Sequence, residues 1–184
     1  MLRTFLKAGI DKLEKTWGYD ASYMRYVLKH SPRSLLRFVI ATGMPDRRAA
    51  PKEALAAAGI VGVLAEDCGP CVQISVDMAA ASGVDPAVLR AILAGDEAGM
   101  GETAALAWRF ARASLARDME TADPLRDEIV RRWGEAALVA IGMALTTARL
   151  YPTLKYALGY GKACSRVVVA GEPAPVVHVP ALAA

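Results

Sequence analysis

The residues able to do chemistry are concentrated in one hexapeptide, Glu66-Asp67-Cys68-Gly69-Pro70-Cys71. A Cys-x-x-Cys pair admits three readings: a redox dithiol, half of a zinc site, or two cysteines in a core. Zinc takes four ligands, typically with a second Cys/His pair. The other candidates, Cys164, His30 and His178, are not spaced as a pair, so no metal is expected. Burial in a core stays open, because free Cys is often buried. The redox reading has a physical basis. Pro is favoured at the first helical position, so a helix starting at Pro70 begins almost at the pair. Free N–H groups and the positive end of the helix dipole then stabilise a thiolate and lower its pKa. Residues three apart at such a start can close a reversible disulfide.

The elements that position this pair read as helices. The chain has 184 residues, enough for one domain with a modest extension. Apolar residues make up 54% and charged residues 22%, which excludes a disordered chain. Ala supplies roughly one residue in five, and Ala is the best helix former and a poor strand former. Small side chains imply closely packed helices. The net charge of +3 argues neither for a nucleic-acid groove nor for an acidic partner. Arg47-Arg48 and Arg131-Arg132 read as ordinary solvated charges, and His30 and His178 as surface or cap residues.

Leu2, Phe5, Leu6, Leu13 and Trp17 fall on one stripe of an amphipathic first helix. Two helices follow, one ending near His30 and one starting at Ser31-Pro32. Gly43 to Pro51 is a joint. A helix from Lys52 to about Glu66 is apolar all round from Ala54 to Ala65, and its Gly59 and Gly62 are expected to allow close helix approach. A helix from Pro70 to about Ser82 carries the pair. Gly83-Val84-Asp85-Pro86 is a stop and restart. Ala94 to Gly101 reads as a loop, Glu102 to Met119 as a helix with two apolar faces, and Asp123-Pro124 as the cap of the next helix. Ala136 to Arg149 is a second buried helix, with Pro152 opening a short last one. Val176–Val179 is the one candidate strand. The uncharged runs Ala54–Ala65 and Ala136–Ala148 are too short for a bilayer, which needs about 20 residues.

Gly-Pro between two cysteines also occurs in thioredoxin, but there the motif follows a strand, and here it follows an uncharged helix. The wider context is different. A helix ends near an acid, the cysteine pair opens the next helix, and Met78-Ala79-Ala80-Ala81-Ser82-Gly83-Val84 precedes a new helix from Asp85 to Leu93. This resembles the alkylhydroperoxidase D-like and carboxymuconolactone decarboxylase superfamily, most clearly over 52–96 and more weakly to Gly161. The resemblance implies an all-α, multi-helix bundle core over 51–164. It is preceded by an N-terminal helical extension (1–50) and followed by a tail (165–184). It also implies homo-oligomers and, in the Cys-bearing branch, thiol peroxidase or disulfide reductase activity.

This chain departs from the family pattern at two positions. The family has His four residues after the second Cys, where Ser75 stands here, and Glu about a dozen residues before the first Cys, where Ala56 stands. Glu66 is then the first candidate for proton transfer and Asp67 the second. On a helix Cys71, Ser75, Met78 and Ser82 share one face, so Ser75 could hydrogen-bond Cys71, while Asp77 points away. The resemblance has Cys71 attack and Cys68 resolve; the helix-terminus argument favours Cys68 as the more acidic thiol. Cys164 reads as incidental. The expected substrate is a small peroxide or disulfide, the partner a thiol reductant or redox protein. No cofactor, nucleic acid or membrane partner is expected. Three cysteines with one tight pair do not form a secreted disulfide framework, and no signal peptide is visible, which points to the cytoplasm. Two other readings are a decarboxylase-like enzyme indifferent to thiol alkylation, and a non-catalytic oligomeric scaffold.

Overall fold

Small side chains decide where the helices sit. The computed structural model describes residues 1–43, 45–161 and 167–177; Cys164, His178 and the end of the Val176–Val179 run lie outside them. Among the described residues there are nine helices and one antiparallel hairpin, so the fold is all-α. The apolar run starting at Ala54 forms most of α4 (Lys52–Leu64), whose Ala54, Ala57, Ala58 and Ile60 to Leu64 are buried. Around it pack α5 (Gly69–Ala81), α6 (Pro86–Ala94), α7 (Glu97–Ala116) and α9 (Glu135–Ala157), while α8 (Met119–Trp133) lies against α7 and α9. A Cβ built on Gly62 would stand 2.7 Å from the Leu145 carbonyl oxygen, so this glycine sets the α4–α9 spacing as expected. Gly59 does not share that role: a Cβ there meets nothing within 4 Å.

The first fifty residues make a second apolar cluster. Leu6 and Ile10 of α1 (Leu2–Trp17), Tyr23 and Met24 of α2 (Ser22–His30) and Leu35 of α3 (Pro32–Thr42) are its buried members. It docks on the main body through Ile74, Tyr151, Leu154 and Tyr160. His30 ends α2, exposed and against the Tyr26 ring. Asp85 caps α6 by accepting from the Ala87 N–H at 2.7 Å, the restart read from its sequence.

Four expectations about elements are corrected. Helix α7 begins inside the expected loop, at Glu97. Asp96 caps it through the Gly99 N–H, and the chain bends at Gly101 (φ 72°), a conformation that favours glycine. Helix α8 is capped by Asp118 rather than Asp123, and Pro124 lies within it. The second buried helix and the short last one are a single helix, α9, running through Pro152. At 23 residues α9 is long and apolar enough by length and composition to cross a membrane, which the shorter run Ala136–Ala148 is not. Here it is packed beside α4 with Ala137, Ile141, Leu145 and Lys155 buried. Finally, the strands are β1 (Val167–Val169) and β2 (Glu172–Ala174), ahead of the expected run. The Gln73 side chain holds β1 by donating to the Val168 carbonyl (3.0 Å) and accepting from the Val168 N–H (2.8 Å). Arg90 donates to the Val169 carbonyl at 2.6 Å.

Candidate functional site

The turn between α4 and α5 places the cysteines. Asp67 takes a left-handed conformation (φ 47°), which Asp tolerates better than most residues, and its carbonyl accepts from the Tyr156 hydroxyl at 2.8 Å. The chain then enters α5 with Cys68 as its N-cap residue and Pro70 in the first turn. The N–H groups of Cys71 and Val72 both donate to the Cys68 carbonyl at 2.9 Å. This first turn brings the two Cα atoms to 5.2 Å, within the range a disulfide requires, and a disulfide joins the two sulfurs. Both residues are buried.

The cysteines differ in access. Cys71 lines a cavity of about 400 Å³ between α4, α5, α9 and the N-terminal layer; Cys68 does not line it. Ser75, Met78 and Ser82 line it with Cys71, one face of α5 as the helical spacing requires. Asp77 is turned aside, accepting from Gln73 at 2.8 Å. The Ser75 hydroxyl makes no hydrogen bond to described residues. Gly59 and Ala56 form the facing wall on α4. The space left by the missing Cβ of Gly59 is therefore part of the cavity.

Glu66 stands elsewhere. Its carboxylate accepts from Arg149 Nε at 2.6 Å and is paired with a second guanidinium nitrogen at 2.5 Å, and neither Glu66 nor Asp67 lines the cavity. Holding the α4–α5 turn against α9 is what this arrangement does. Glu66→Gln is expected to lower unfolding free energy by about 1 kcal/mol, measured by urea denaturation, while any thiol chemistry at Cys71 stays within severalfold of the parent. A large loss of that chemistry with unchanged stability would return Glu66 to the proton-transfer role.

The N-terminal layer contributes residues that belong to no motif. Tyr19 and Tyr23 line the cavity, and Tyr151 joins them from α9, its hydroxyl donating to Thr42 at 2.7 Å. Tyr23 is 1% exposed, and its hydroxyl lies near that of Tyr19 without completing a hydrogen bond. Behind them the buried Lys155 places Nζ 4.9 Å from the Tyr19 ring centre and 3.4 Å from its hydroxyl oxygen. Arg47, an exposed charge as expected, also lines the cavity. Their sequence carries little signal: Tyr19 lies in the α1–α2 connection and Tyr23 in the first turn of α2, in a segment that resembles no part of the family core.

Burial keeps these phenols protonated. It pushes Tyr19 up to about 12, and it raises Tyr23 and Tyr151 as well. In the unfolded chain a tyrosine releases its proton near pH ~10. Between the two values the folded state holds more protons, so stability is complete below the unfolded pKa and falls as pH rises toward the folded one. We expect three of the six tyrosines to resist ionisation in native protein and to titrate only with unfolding, followed by phenolate absorbance. All six titrating together near pH ~10 in folded protein would contradict this burial.

Among the described residues no cluster of His, Cys, Asp and Glu could hold a metal ion. No family model, curated protein or solved structure matches the chain.

Proposed function

We propose that this chain is a thiol-dependent peroxidase or disulfide reductase working through Cys68 and Cys71. One observation carries the reading: Cys71 stands on the wall of a largely apolar cavity while its disulfide partner sits behind it at the α5 N-cap. That division suits an attacking thiol that meets substrate and a resolving thiol that does not. It favours Cys71 as the attacker, against the helix-terminus argument for Cys68. The proposed cycle starts from the Cys71 thiolate attacking the outer peroxide oxygen. The O–O bond breaks, Cys71 becomes a sulfenic acid, and the alkoxide leaves as alcohol after taking a proton. Cys68 then attacks the Cys71 sulfur, water departs, and the disulfide closes. A dithiol reductant returns two electrons and two protons. With Ser75 in place of His and Glu66 held by Arg149, the protonated phenols at the cavity are the donors available to the leaving oxygen.

The same reading takes α4 to α9 as an alkylhydroperoxidase D-like core in a cytoplasmic homo-oligomer. Val139 and Leu150, exposed along one face of α9, support a subunit contact there. The test is intact mass after mild peroxide, with and without prior reduction. Reduced protein should lose two hydrogens, mapped to Cys68–Cys71, within seconds to minutes, and a dithiol should reverse the change. A native disulfide that resists a dithiol, or a reduced pair that peroxide leaves unchanged, would make it a structural staple and sink the reading.

A further inference from the structure

The cavity carries information about its ligand that the cysteines do not. Helices α4 and α5 run antiparallel along it. Lys52 and Ser82 mark one end; Val63 and Cys71 mark the other. Lys52 and Val63 along α4, and Cys71 and Ser82 along α5, are each eleven residues apart, which sets the length at ~16 Å. The two ends are unlike. Lys52 and Ser82 are exposed, so the cavity is open at the Lys52 end; Gly43 and Arg47 are exposed lining residues too, on the side where Thr42 meets Tyr151. Val63, Cys71, Tyr19 and Tyr23 are buried, so the Cys71 end is closed. Tyr19 belongs to that end because its partner Lys155 adjoins Tyr156, which bonds the Asp67 carbonyl in the α4–α5 turn.

Charge is distributed just as unevenly. The lining includes Arg47 and Lys52 and no carboxylate. Lys52 donates to the Gly83 carbonyl and stands 3.8 Å from Glu53, which lies outside the lining. Arg47 is paired with no carboxylate among the described residues. Between mouth and closed end the wall is mostly apolar, made of Leu55, Ala56, Ile60, Met78 and Ala144 and the space above Gly59, with the Ser75 and Thr147 side chains among them. Apolar walls with a few convergent polar groups are the usual form of a small-molecule site, and the volume is in the usual range.

We propose that this cavity binds a single-chain anionic amphiphile, its carboxylate at Arg47 and Lys52 and its chain directed at Cys71. The substrate role of this ligand rests on the dithiol chemistry proposed above; its binding does not. A hydroperoxide or disulfide carried on such a chain would be delivered to the one cysteine that faces the cavity.

The experiment is calorimetric titration of the disulfide-closed protein, which cannot turn over, with dodecanoate, dodecanol and dodecyltrimethylammonium below their micelle concentrations. Dodecanoate should bind in a 1:1 complex, about tenfold or more tighter than the other two, the factor a single charge contact supplies at a partly exposed site. Added salt should weaken dodecanoate and leave dodecanol unchanged. The double variant Arg47→Glu/Lys52→Glu should reverse the order of dodecanoate and the cation. Gly59→Leu, whose side chain enters open space, should abolish binding of all three without unfolding the chain. Equal affinities for the three ligands, no binding at all, or indifference to the charge reversal would overturn the proposal. Dodecanoate binding without peroxide consumption would defeat the dithiol reading alone; peroxide consumption without anion preference would defeat the ligand class alone.

Discussion

Cys71→Ser is expected to lower peroxide consumption with a dithiol reductant by about a thousandfold or more, the scale on which loss of an attacking group is felt. Cys68→Ser should lower steady turnover comparably, for a different reason. With Cys71 on the cavity wall, the Cys68→Ser protein can still react once and stop as a sulfenic acid, which a sulfenate-trapping reagent will label at Cys71. Without Cys68 to condense with, that sulfenic acid then climbs to the sulfinic state with further peroxide. The Cys71→Ser protein should trap nothing, because Cys68 is fully buried and does not reach the cavity. Circular dichroism on both variants separates lost chemistry from lost fold. Retained turnover in both single variants would remove the dithiol mechanism; labelling at Cys68 rather than Cys71 would reverse the order of attack.

Two glycines three residues apart are expected to change stability in opposite directions. Gly62→Ala places a methyl group 2.7 Å from the Leu145 carbonyl oxygen and 3.3 Å from the Ala148 Cβ. The oxygen belongs to a helix backbone and cannot rotate away, so α4 and α9 must separate. The cost is about 1–3 kcal/mol. Gly59→Ala meets nothing within 4 Å and removes a flexible residue from the middle of a helix, a gain of about 0.5–1 kcal/mol. Urea unfolding midpoints should therefore move in opposite directions from the parent. A destabilised Gly59→Ala would mean that the cavity above this residue is filled by something a methyl group displaces.

Periodicity and composition were good guides to the helices and poor guides to their ends. The Ala-rich runs around Ala54 and Ala136 could only be buried helix, and the face shared by Cys71, Ser75, Met78 and Ser82 follows from helical spacing alone. Gly83-Val84-Asp85-Pro86 was readable because each residue has a local reason to be there. Pro124 and Pro152 misled for the opposite reason. A proline opens a helix by local preference, yet both lie within helices here, and Pro152 is buried inside one. Packing on neighbours outweighed that preference. The roles of Gly59 and Gly62 were indistinguishable in sequence, since both are small residues in an apolar helix. Only the placement of α9 over one and the cavity over the other separates them. The cavity was invisible for a similar reason. Half of its character comes from Tyr19, Tyr23 and Arg47, distant in sequence from the motif and brought to it by docking of the N-terminal layer. Glu66 lay next to Cys68 in sequence, but the turn at Asp67 leaves it facing Arg149.

Gln73 sits two residues beyond Cys71 on the same helix. Its carboxamide mimics a neighbouring strand, giving and taking one hydrogen bond at Val168. Across the two-residue turn Val168 is paired with Pro173 at the non-hydrogen-bonded position of the hairpin, where the Val168 N–H and C=O point away from the partner strand. The Val168 amide is thus secured by a side chain of the dithiol helix. Its solvent-exchange rate and its nuclear resonance become a built-in gauge of that helix, readable by isotope labelling in the oxidised and reduced protein without attaching any probe near the cysteines.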